Sequence, residues 1–503
     1  MPREIITIQV GQCGNQIALK FWELALKEHA EYNKSLIYDE ALSSFFRNVD
    51  GRGGVQKNLP CGSNITDLKA RSIVVDMETG VINNKILNGE LKDIFEARQC
   101  VSDQSGAGNN WARGHLECGP KYKEEIEEKV RQAVEHCDSL QGFFFTHSLG
   151  GGTGSGLGSY ILKDLADLYP SVFRFSTCVF PSEDDDVVTS PYNSMLALNV
   201  LIENADCVLP VDNQALFDIV SRIDTQYQAQ AHKREEKSSG AIIKQGSAIT
   251  DPMALTEKKG GVGAKPVRHY ERENSIVAHV INNLTCSMRF EGDLNVDLNE
   301  ITMNLVPYPR MHFLLSSLSP LYSVLQPGNS QLAPRGIDDS FREAMERSNQ
   351  LIQQANPLEA VYLACGLIVR GPKVEISDIT RNVEKLQKRL KMVGWNKEGF
   401  KVGHCYQAPL NQPYSVLTLA NNTSTRTIMQ RLRTKFMKIY KQKVFVHHYT
   451  EFMDQSHFDH CLETCEEVIE SYKNMEEKYL GKWGELDDEE EIVADAYRFR
   501  PII

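Results

Sequence analysis

The chain has 503 residues, of which 41% are hydrophobic and 24% are charged, as is typical of a folded globular protein. This length is too great for one ordinary hydrophobic core, so we expect two or three coupled subdomains. A formal net charge of -12 argues against nucleic-acid binding as the main role, because phosphate backbones are bound by clustered Lys and Arg.

The N-terminal sequence MPREIITIQVGQCGNQI lacks the apolar core and the small-residue cleavage site of a secretory signal. Nowhere does the sequence reach the roughly 18 consecutive apolar residues of a membrane span. The twelve cysteines contain no C-x-x-C pair, so we expect reduced thiols in a cytosolic protein.

In the first half of the chain, short apolar segments alternate with stretches of helical periodicity. The apolar segments are REIITIQV, RSIVVDM, GFFFTHS, FRFSTCVF and DCVLPVDN. Their alternation with helices predicts an α/β fold with a doubly wound parallel sheet. Ligands of such sheets bind at the carboxyl ends of the strands, so the loops that follow these segments are the candidate sites.

The composition changes at residues 226–266, which are rich in Lys, Glu, Ser and Gly and predict a mobile surface insertion. A helical pattern with apolar residues follows, as expected of a core helix. Further strands and the predicted helix 377–393 indicate a second α/β unit. Two more helices are predicted at 421–442 and 456–478.

The segment HSLGGGTGSGLGS places a glycine run between a predicted strand and a predicted helix. Unpaired backbone N–H groups at a helix N-terminus favour an anion, and glycines let the backbone approach phosphate oxygens. No Lys follows the glycines as a Walker A loop requires, and no register gives G-x-G-x-x-G. A plain flexible turn is the alternative interpretation.

Three other predicted strand ends carry residues suited to a nucleotide. GQCGNQ at 11–16 combines free backbone with polar side chains, and GAGNNW at 106–111 adds amide donors. Asp76 and Glu78 follow another strand, and their hard oxygens suit Mg²⁺. Four such loops at one edge of a sheet favour a nucleotide site over unrelated turns.

These residues carry a family resemblance along nearly the whole chain. GQCGNQ, GAGNNWA, HSLGGGTGSGLGS, SPYNSML, VDNQALFDI, RFEGDLNVDLNEI and MNLVPYPRMHF resemble the tubulin family. The resemblance implies a GTP-binding domain at 1–225, a flexible insertion at 226–269, a core helix at 270–288, an α/β intermediate domain at 289–424, and C-terminal helices with an acidic tail at 425–503.

The resemblance also implies the residues of a GTP and Mg²⁺ site. Around the phosphates it places Gln12, Cys13, Asn109, Ser148, Gly150, Gly151, Gly152, Thr153 and Gly154. Around the ribose and guanine it places Pro181, Asp186, Asn213, Tyr270 and Asn274. On the magnesium side it places Asp76 and Glu78. The ribose loop is one residue shorter than in the α and β subunits, and Ser190 stands where they commonly carry Glu.

In the tubulin family a loop of the next subunit completes the nucleotide site, and here that loop contains Glu300. The position corresponds to a Glu of the α subunit that polarises the attacking water. The resemblance therefore implies a GTPase that acts only in trans, on a neighbouring subunit's nucleotide. In the alternative interpretation Asp297 and Glu300 merely solvate a loop.

Several segments, including YDEALSSFFRNVD, GWNKEGF and the insertion, resemble the epsilon subfamily most. That resemblance implies a cytoskeletal protein of the centrosome, centriole or basal body, needed for doublet and triplet microtubules in cilia. The implied partners are other tubulins, including delta-tubulin, and centriolar proteins. A gamma-like microtubule nucleator and a GTP-bound adaptor that never polymerises remain alternatives.

Two features near the C-terminus have simpler interpretations. His457, Cys461 and Cys465 are spaced for a metal site, but they share a broad apolar helical stripe, which favours core packing. The acidic run at 485–491 is similar to a tubulin tail, and a disordered extension is expected there.

Overall fold

The computed structural model describes residues 3–51, 57–182, 187–241, 270–325, 336–353 and 356–480. Strands of the first half are β1 (Glu4–Val10), β2 (Phe46–Asp50), β3 (Lys57–Asn58), β4 (Leu68–Ala70), β5 (Ser72–Asp76), β6 (Cys100–Ser102), β7 (Leu140–Ser148), β8 (Phe173–Phe180) and β9 (Cys207–Asp212). Its helices are α1 (Gly11–Tyr32), α2 (Glu40–Ser43), α3 (Thr79–Val81), α4 (Gly119–Glu135), α5 (Gly158–Leu168), α6 (Ser190–Asn204) and α7 (Asn213–Ala241).

The main sheet of this half has the order β6-β5-β1-β7-β8-β9, and its strands run parallel. After β1, the next strands of this sheet along the chain, β5 and β6, lie on one side of β1, and the later strands β7, β8 and β9 lie on the other side. The order therefore reverses between β1 and β7, and this gap is where doubly wound sheets bind ligands. The predicted α/β fold with a doubly wound parallel sheet is confirmed.

Two apolar cores cover the two faces of this sheet. Alternation along the strands sends Phe143 and Phe145 into one core and Phe144 into the other. The first core also contains side chains of α4, α5, α6 and the C-terminal helices. The second contains side chains of α1, α7 and the helix that follows the insertion.

The second half begins with the core helix and forms a mixed sheet. Its helices are α8 (Glu271–Leu284), α9 (Cys286–Arg289), α10 (Leu298–Leu305), α11 (Leu321–Leu325), α12 (Ile337–Ala344) and α13 (Ile376–Gln387). Its strands are β10 (Leu315–Ser319), β11 (Val361–Arg370), β12 (Lys391–Met392), β13 (Phe400–Cys405) and β14 (Ser415–Asn422). In this sheet β14 lies between β10 and β11, antiparallel to both, while β12 and β13 pair with β11 in parallel.

The chain closes with α14 (Thr425–Tyr440), α15 (His447–Thr450) and α16 (Ser456–Leu480), which pack against α6 of the first half. Cys461 and Cys465 lie in the first core, which supports core packing. In the described ranges no three His, Cys, Asp or Glu side chains are grouped to hold a metal. The acidic run at 485–491 lies outside the described residues.

The predicted insertion differs in part from the structure, because α7 continues to Ala241 and enters the segment 226–269. The helix is anchored by Leu216, Ile219 and Ile223, which are buried in the second core. Beyond them the sequence QAQAHKREEK consists mainly of strong helix formers, which explains a helix without apolar periodicity. Residues 242–269 lie outside the described part of the chain.

No helix of the described residues is long and apolar enough to cross a membrane.

A buried ion cluster joins the two halves of the chain. Glu28 of α1 accepts an ion pair from Arg289 of α9 and another from Arg370 of β11, both at 3.0 Å. All three side chains have 0% exposure. Burial raises the pKa of Glu28, but the two guanidiniums outweigh it and hold the pKa below its ordinary value. Glu28 therefore stays ionised inside the protein.

Candidate functional site

The start of α1, which follows β1 directly, packs against the glycine run after β7 at the switch point of the sheet, with backbone in contact with backbone. Gly11 adopts a positive φ of 73°, and a Cβ placed on it would lie 3.0 Å from the amide nitrogen of Gly154. A Cβ on Gly14 would lie 2.1 Å from the carbonyl oxygen of Thr146. Both positions therefore require glycine, because a side chain would force the start of α1 away from the glycine run at Gly11 and away from β7 at Gly14.

Three glycines of the run pack against neighbouring backbone in the same way. A Cβ would lie 2.8 Å from the Ala107 oxygen at Gly152, 3.1 Å from the Ser148 nitrogen at Gly154, and 2.4 Å from the Trp111 oxygen at Gly156. These glycines hold the loops together rather than simply making the run flexible.

Gly151 differs from these positions, since the nearest atom to a Cβ there is Asn109 Oδ1 at 3.8 Å. The segment therefore combines tightly packed glycines with one more open position. The half-buried Thr153 opens the one-turn π-helical segment Thr153–Leu157, which leads into α5. The unpaired backbone N–H groups at the start of this π-helical segment are of the type that binds phosphate at a helix N-terminus.

Asn193, in the second turn of α6, ties these loops to the C-terminal helices. Its Nδ2 donates to the carbonyl oxygens of Asn109 and Gly150, both at 2.8 Å. Its Oδ1 accepts from the Trp111 amide at 2.8 Å and from the Tyr449 hydroxyl at 2.6 Å. Every polar atom of this fully buried amide is satisfied, so its orientation is fixed.

The two carboxylates predicted for Mg²⁺ lie beside the loops that are predicted to bind the phosphates. Asp76 is buried, and its Oδ2 has no hydrogen-bond partner among the described residues. Burial, with a smaller contribution from the charge of the nearby, exposed Glu78, raises the pKa of Asp76 to about 6. A Cβ on Gly106 would lie 3.6 Å from Glu78 Oε1, so the next loop reaches the same place.

The unpartnered Asp76 oxygen fits a divalent cation, because a buried carboxylate oxygen without a donor is costly unless an ion or water satisfies it. Asp76 and Glu78 would hold Mg²⁺ through hard oxygens. When bound, the cation would neutralise charge on the phosphates.

The remaining predicted phosphate residues differ in exposure. Gln12 and Asn109 are exposed at the loop surface, with Asn109 in a left-handed conformation at a φ of 51°. Cys13 and Ser148 are half-buried. Burial raises the pKa of Cys13 to about 12, so its thiol stays protonated and unreactive.

On the side predicted for the base, Tyr270 and Asn274 lie one turn apart at the start of α8, where the Asn274 amide donates to the Tyr270 oxygen at 2.8 Å. Tyr270 is 42% exposed and Asn274 is 9% exposed. Pro181 and Asn213 are half-buried at the ends of β8 and β9. The predicted residue Asp186 lies outside the described residues.

Glu300 belongs to a different part of the molecule. Asp297 caps α10 by accepting from the Glu300 amide at 2.7 Å, and the Glu300 carboxylate pairs with Lys401 of β13 at 2.8 Å. Within the described residues, its hydrogen bonds and ion pair stay in the second half of the chain. None of these contacts connects Glu300 to the loops of its own chain that are predicted to bind phosphate.

Sequence reasoning missed the residues that support the loops from behind. Asn193 lies in SPYNSML, which helped to identify the family but gave no signal of its role. His147 Nδ1 contacts the Gly154 oxygen at 3.0 Å and Nε2 contacts Ser176 Oγ at 2.9 Å. Burial lowers the pKa of His147 to about 4, so the ring is a neutral bridge between the loop and β8.

Closely packed glycine loops at the switch point of a doubly wound sheet are the hallmark of a nucleotide-binding domain. The chain matches the GTPase domain of the Tubulin/FtsZ family over residues 4–221. It matches the tubulin C-terminal domain over residues 309–434. The chain belongs to the tubulin family, which confirms the predicted resemblance and implies that the site binds GTP.

Relatives cover nearly the full length of the chain. The tubulin epsilon chain of Mus musculus is 48% identical over 473 residues, which cover 94% of this chain and 96% of that protein. The tubulin epsilon chain of Homo sapiens is 46% identical over 478 residues, with coverage of 94% and 96%. The tubulin alpha-3 chain of Saccharomyces cerevisiae is 33% identical over 516 residues, with coverage of 98% and 99%. The chain is therefore more similar to these epsilon chains than to this alpha chain, and its family implies the cytoskeleton and tubulin partners.

Proposed function

We propose that this protein binds GTP with Mg²⁺ and acts as an epsilon-type tubulin in the assembly of centriole or basal-body microtubules, including doublets and triplets. The observation that carries the nucleotide part is the meeting of glycine loops at the switch point beside a buried, unpartnered Asp76 oxygen. The subfamily part is supported by 48% identity to an epsilon chain against 33% to an alpha chain.

Nucleotide analysis of the gently purified protein tests the first part. We expect GTP or GDP in about equal molar amount to the protein, with retention that depends on Mg²⁺. Asp76→Asn keeps the shape of the side chain but removes its charge, and it should lose the Mg²⁺ dependence. Recovery of NAD, or of protein that neither contains nor binds a guanine nucleotide, would rule out the assignment.

Hydrolysis is proposed to occur in trans, with Glu300 orienting water at the nucleotide of a neighbouring subunit. Support comes from the contacts of Glu300, which keep it with Lys401 rather than with the phosphate loops of its own chain. The side chains of Lys401 and Glu300 are 30% and 45% exposed, so this ion pair is worth at most about 1 kcal/mol. A neighbouring subunit could therefore release the carboxylate at small cost.

Phosphate release during co-assembly with other tubulins tests this step. Glu300→Ala should lower assembly-stimulated release about 100-fold or more, because the attacking water loses its positioning group. Glu291→Gln is the matched control, since it alters an exposed carboxylate of the same region and should leave the rate unchanged. Equal rates in the wild type and Glu300→Ala would refute the role of Glu300.

The proposed location and partners require a cellular test. The tagged protein should concentrate at centrioles or basal bodies, and its loss should reduce doublet and triplet microtubules. A pull-down from ciliated cells should recover tubulins, with delta-tubulin among them, alongside centriolar proteins. Repeating it without residues 226–266 would show whether the insertion contributes to these contacts. Diffuse localisation with intact triplets after depletion would contradict the proposal.

A further inference from the structure

A small basic pocket lies at the amino end of the main sheet, at the opposite strand ends from the GTP loops. It encloses about 40 Å³ between the start of β5, the segment before β6 and the C-terminal part of α4. The lining includes four side chains that carry positive charge, and these are Arg47, Arg71, Arg98 and Lys129. Gln132 of α4 and His136, directly after that helix, line the pocket and are exposed, so the pocket reaches the surface.

Three of the four cations have carboxylate partners. Arg71 pairs with the buried Glu4 at 2.6 Å and also donates to backbone oxygens, so its role is structural. Arg98 pairs with Glu96. Lys129 lies 3.3 Å from Glu125 on the same helix. These three ion pairs do not involve the fourth cation.

Arg47, on β2, is that fourth cation and is only 7% exposed. Among the described residues its hydrogen bond is to a neutral group, Asn58 Oδ1, at 3.4 Å. Burial, together with the positive charge of Arg98, lowers the pKa of Arg47 to about 10, although the negative charge of Glu96 acts against this shift. The pocket thus holds a buried guanidinium at a positive potential without an ion-pair partner in the described part of the chain.

Ser72 supplies a second, independent observation. It lines the same pocket and is 2% exposed, yet its hydroxyl has no hydrogen-bond partner in the described residues. A buried hydroxyl without a partner is uncommon in proteins and indicates a missing water or ion. The unpartnered hydroxyl and the uncompensated guanidinium of Arg47 both call for a group that accepts hydrogen bonds.

The size of the pocket limits what that group can be. A single water needs about 10–15 Å³ of such space, so the volume admits about three oxygen-sized atoms. This matches a carboxylate or one face of a phosphate and is far too small for a nucleotide. A planar guanidinium is suited to both kinds of oxyanion, through two parallel hydrogen bonds.

We propose that this pocket binds a single oxyanion group, with Arg47 and Ser72 as its principal donors and Lys129 contributing charge at the mouth. The oxyanion could come from free inorganic phosphate or from a carboxylate on the surface of a docking protein. Both sources present the same chemistry, and the site is separate from the GTP loops.

Isothermal titration of the full chain, saturated with GTP and Mg²⁺ and kept at constant ionic strength, tests the proposal. The probes are inorganic phosphate and a hexaglutamate peptide. We expect saturable binding of at least one probe at one site per chain. Ser72→Ala and Arg47→Gln should each weaken it about ten- to hundredfold, because each removes a hydrogen bond to a charged group.

Lys121→Gln is the matched control for lost charge, because Lys121 lies at the other end of α4 and pairs with Asp103. The affinity of Lys121→Gln for each probe should equal that of the wild type. Ser72→Ala removes only an unpartnered hydroxyl and should leave the thermal unfolding temperature unchanged, so it remains informative if Arg47→Gln folds poorly. Binding of phosphate alone would identify a free anion, and binding of hexaglutamate would identify a protein carboxylate. No saturable binding of either probe, or affinities that Ser72→Ala leaves unchanged, would overturn the proposal.

Discussion

The buried cluster around Glu28 leads to a strong prediction about stability. Glu28→Gln preserves the size of the side chain but leaves the guanidiniums of Arg289 and Arg370 in the interior without a negative charge. Each guanidinium lies 3.0 Å from a Glu28 oxygen at 0% exposure, so water cannot replace the lost carboxylate. Removing one partner of such a buried pair costs about 3–5 kcal/mol, and here both pairs are lost together. We therefore expect the upper part of that range.

Glu23 provides a control on the same helix. Its carboxylate pairs with Lys20 at 3.2 Å and Lys27 at 2.6 Å, but its side chain is 30% exposed. Glu23→Gln should cost about 1 kcal/mol or less, since water and salt screen exposed pairs. The two variants remove the same charge from α1, so their difference isolates the effect of burial.

Urea unfolding of the GTP-bound protein measures both variants. Glu28→Gln should unfold at a clearly lower urea concentration than Glu23→Gln, with the loss of both halves of the chain in one transition. Adding Arg289→Met to Glu28→Gln should recover part of the loss, because one uncompensated charge is then removed. Equal unfolding midpoints for Glu28→Gln and Glu23→Gln would refute the reasoning.

The pH dependence of the same variant has a definite sign. The pKa of Glu28 is lowered in the folded protein, so the stability it contributes is present above its unfolded pKa and is lost as the pH falls through the folded value. The difference between the wild type and Glu28→Gln should therefore be largest at neutral pH and shrink on acidification. A difference that grows on acidification would show that Glu28 is protonated in the native protein.

Three further predictions concern the nucleotide loops. Asn193→Asp should lower GTP affinity at least about tenfold in filter binding, because an oxygen would replace the Nδ2 donor that faces two carbonyl oxygens. Gly154→Ala should abolish high-affinity GTP binding, since its Cβ would lie 2.9 Å from Ser148 Oγ. Gly151→Ala should fold with an unchanged unfolding temperature, since the nearest atom to its Cβ would lie 3.8 Å away. Asp76→Asn should bind GTP with an affinity that no longer responds to EDTA, and an unchanged EDTA response would contradict its assignment to Mg²⁺.

Much of the nucleotide domain could be predicted from the sequence because its signals are local. The apolar segments that precede Gly11, Asp76 and the glycine run are all strands in the structure, with their loops at one edge of the sheet. Hydrophobic periodicity and glycine spacing determine these elements over a few residues. The general rules for alternating strands and helices predicted a parallel sheet, but not the order of its strands, which the structure supplied.

What the sequence could not show depends on contacts between distant segments. Asn193 and Tyr449 are far apart in the chain, and nothing around either residue indicates that they share a hydrogen bond. The pairing of Glu300 with Lys401 is equally nonlocal. The helical continuation of α7 into the predicted insertion was missed for a different reason, because the polar end of this helix lacks the apolar periodicity by which helices are recognised.

The shared apolar core on one face of the main sheet has a consequence for how the protein can be divided. Side chains of β7, α6, α14 and α16 fill it together, although the family match for the GTPase domain ends at residue 221. A fragment that stopped there would expose the apolar surface of α6 that the C-terminal helices cover, and would lose the Tyr449 hydroxyl that helps to hold Asn193. The borders of the sequence families are thus not borders of autonomous folding. In this chain the nucleotide site is a property of the complete polypeptide, and a truncated GTPase domain would be a poor substitute for studying it.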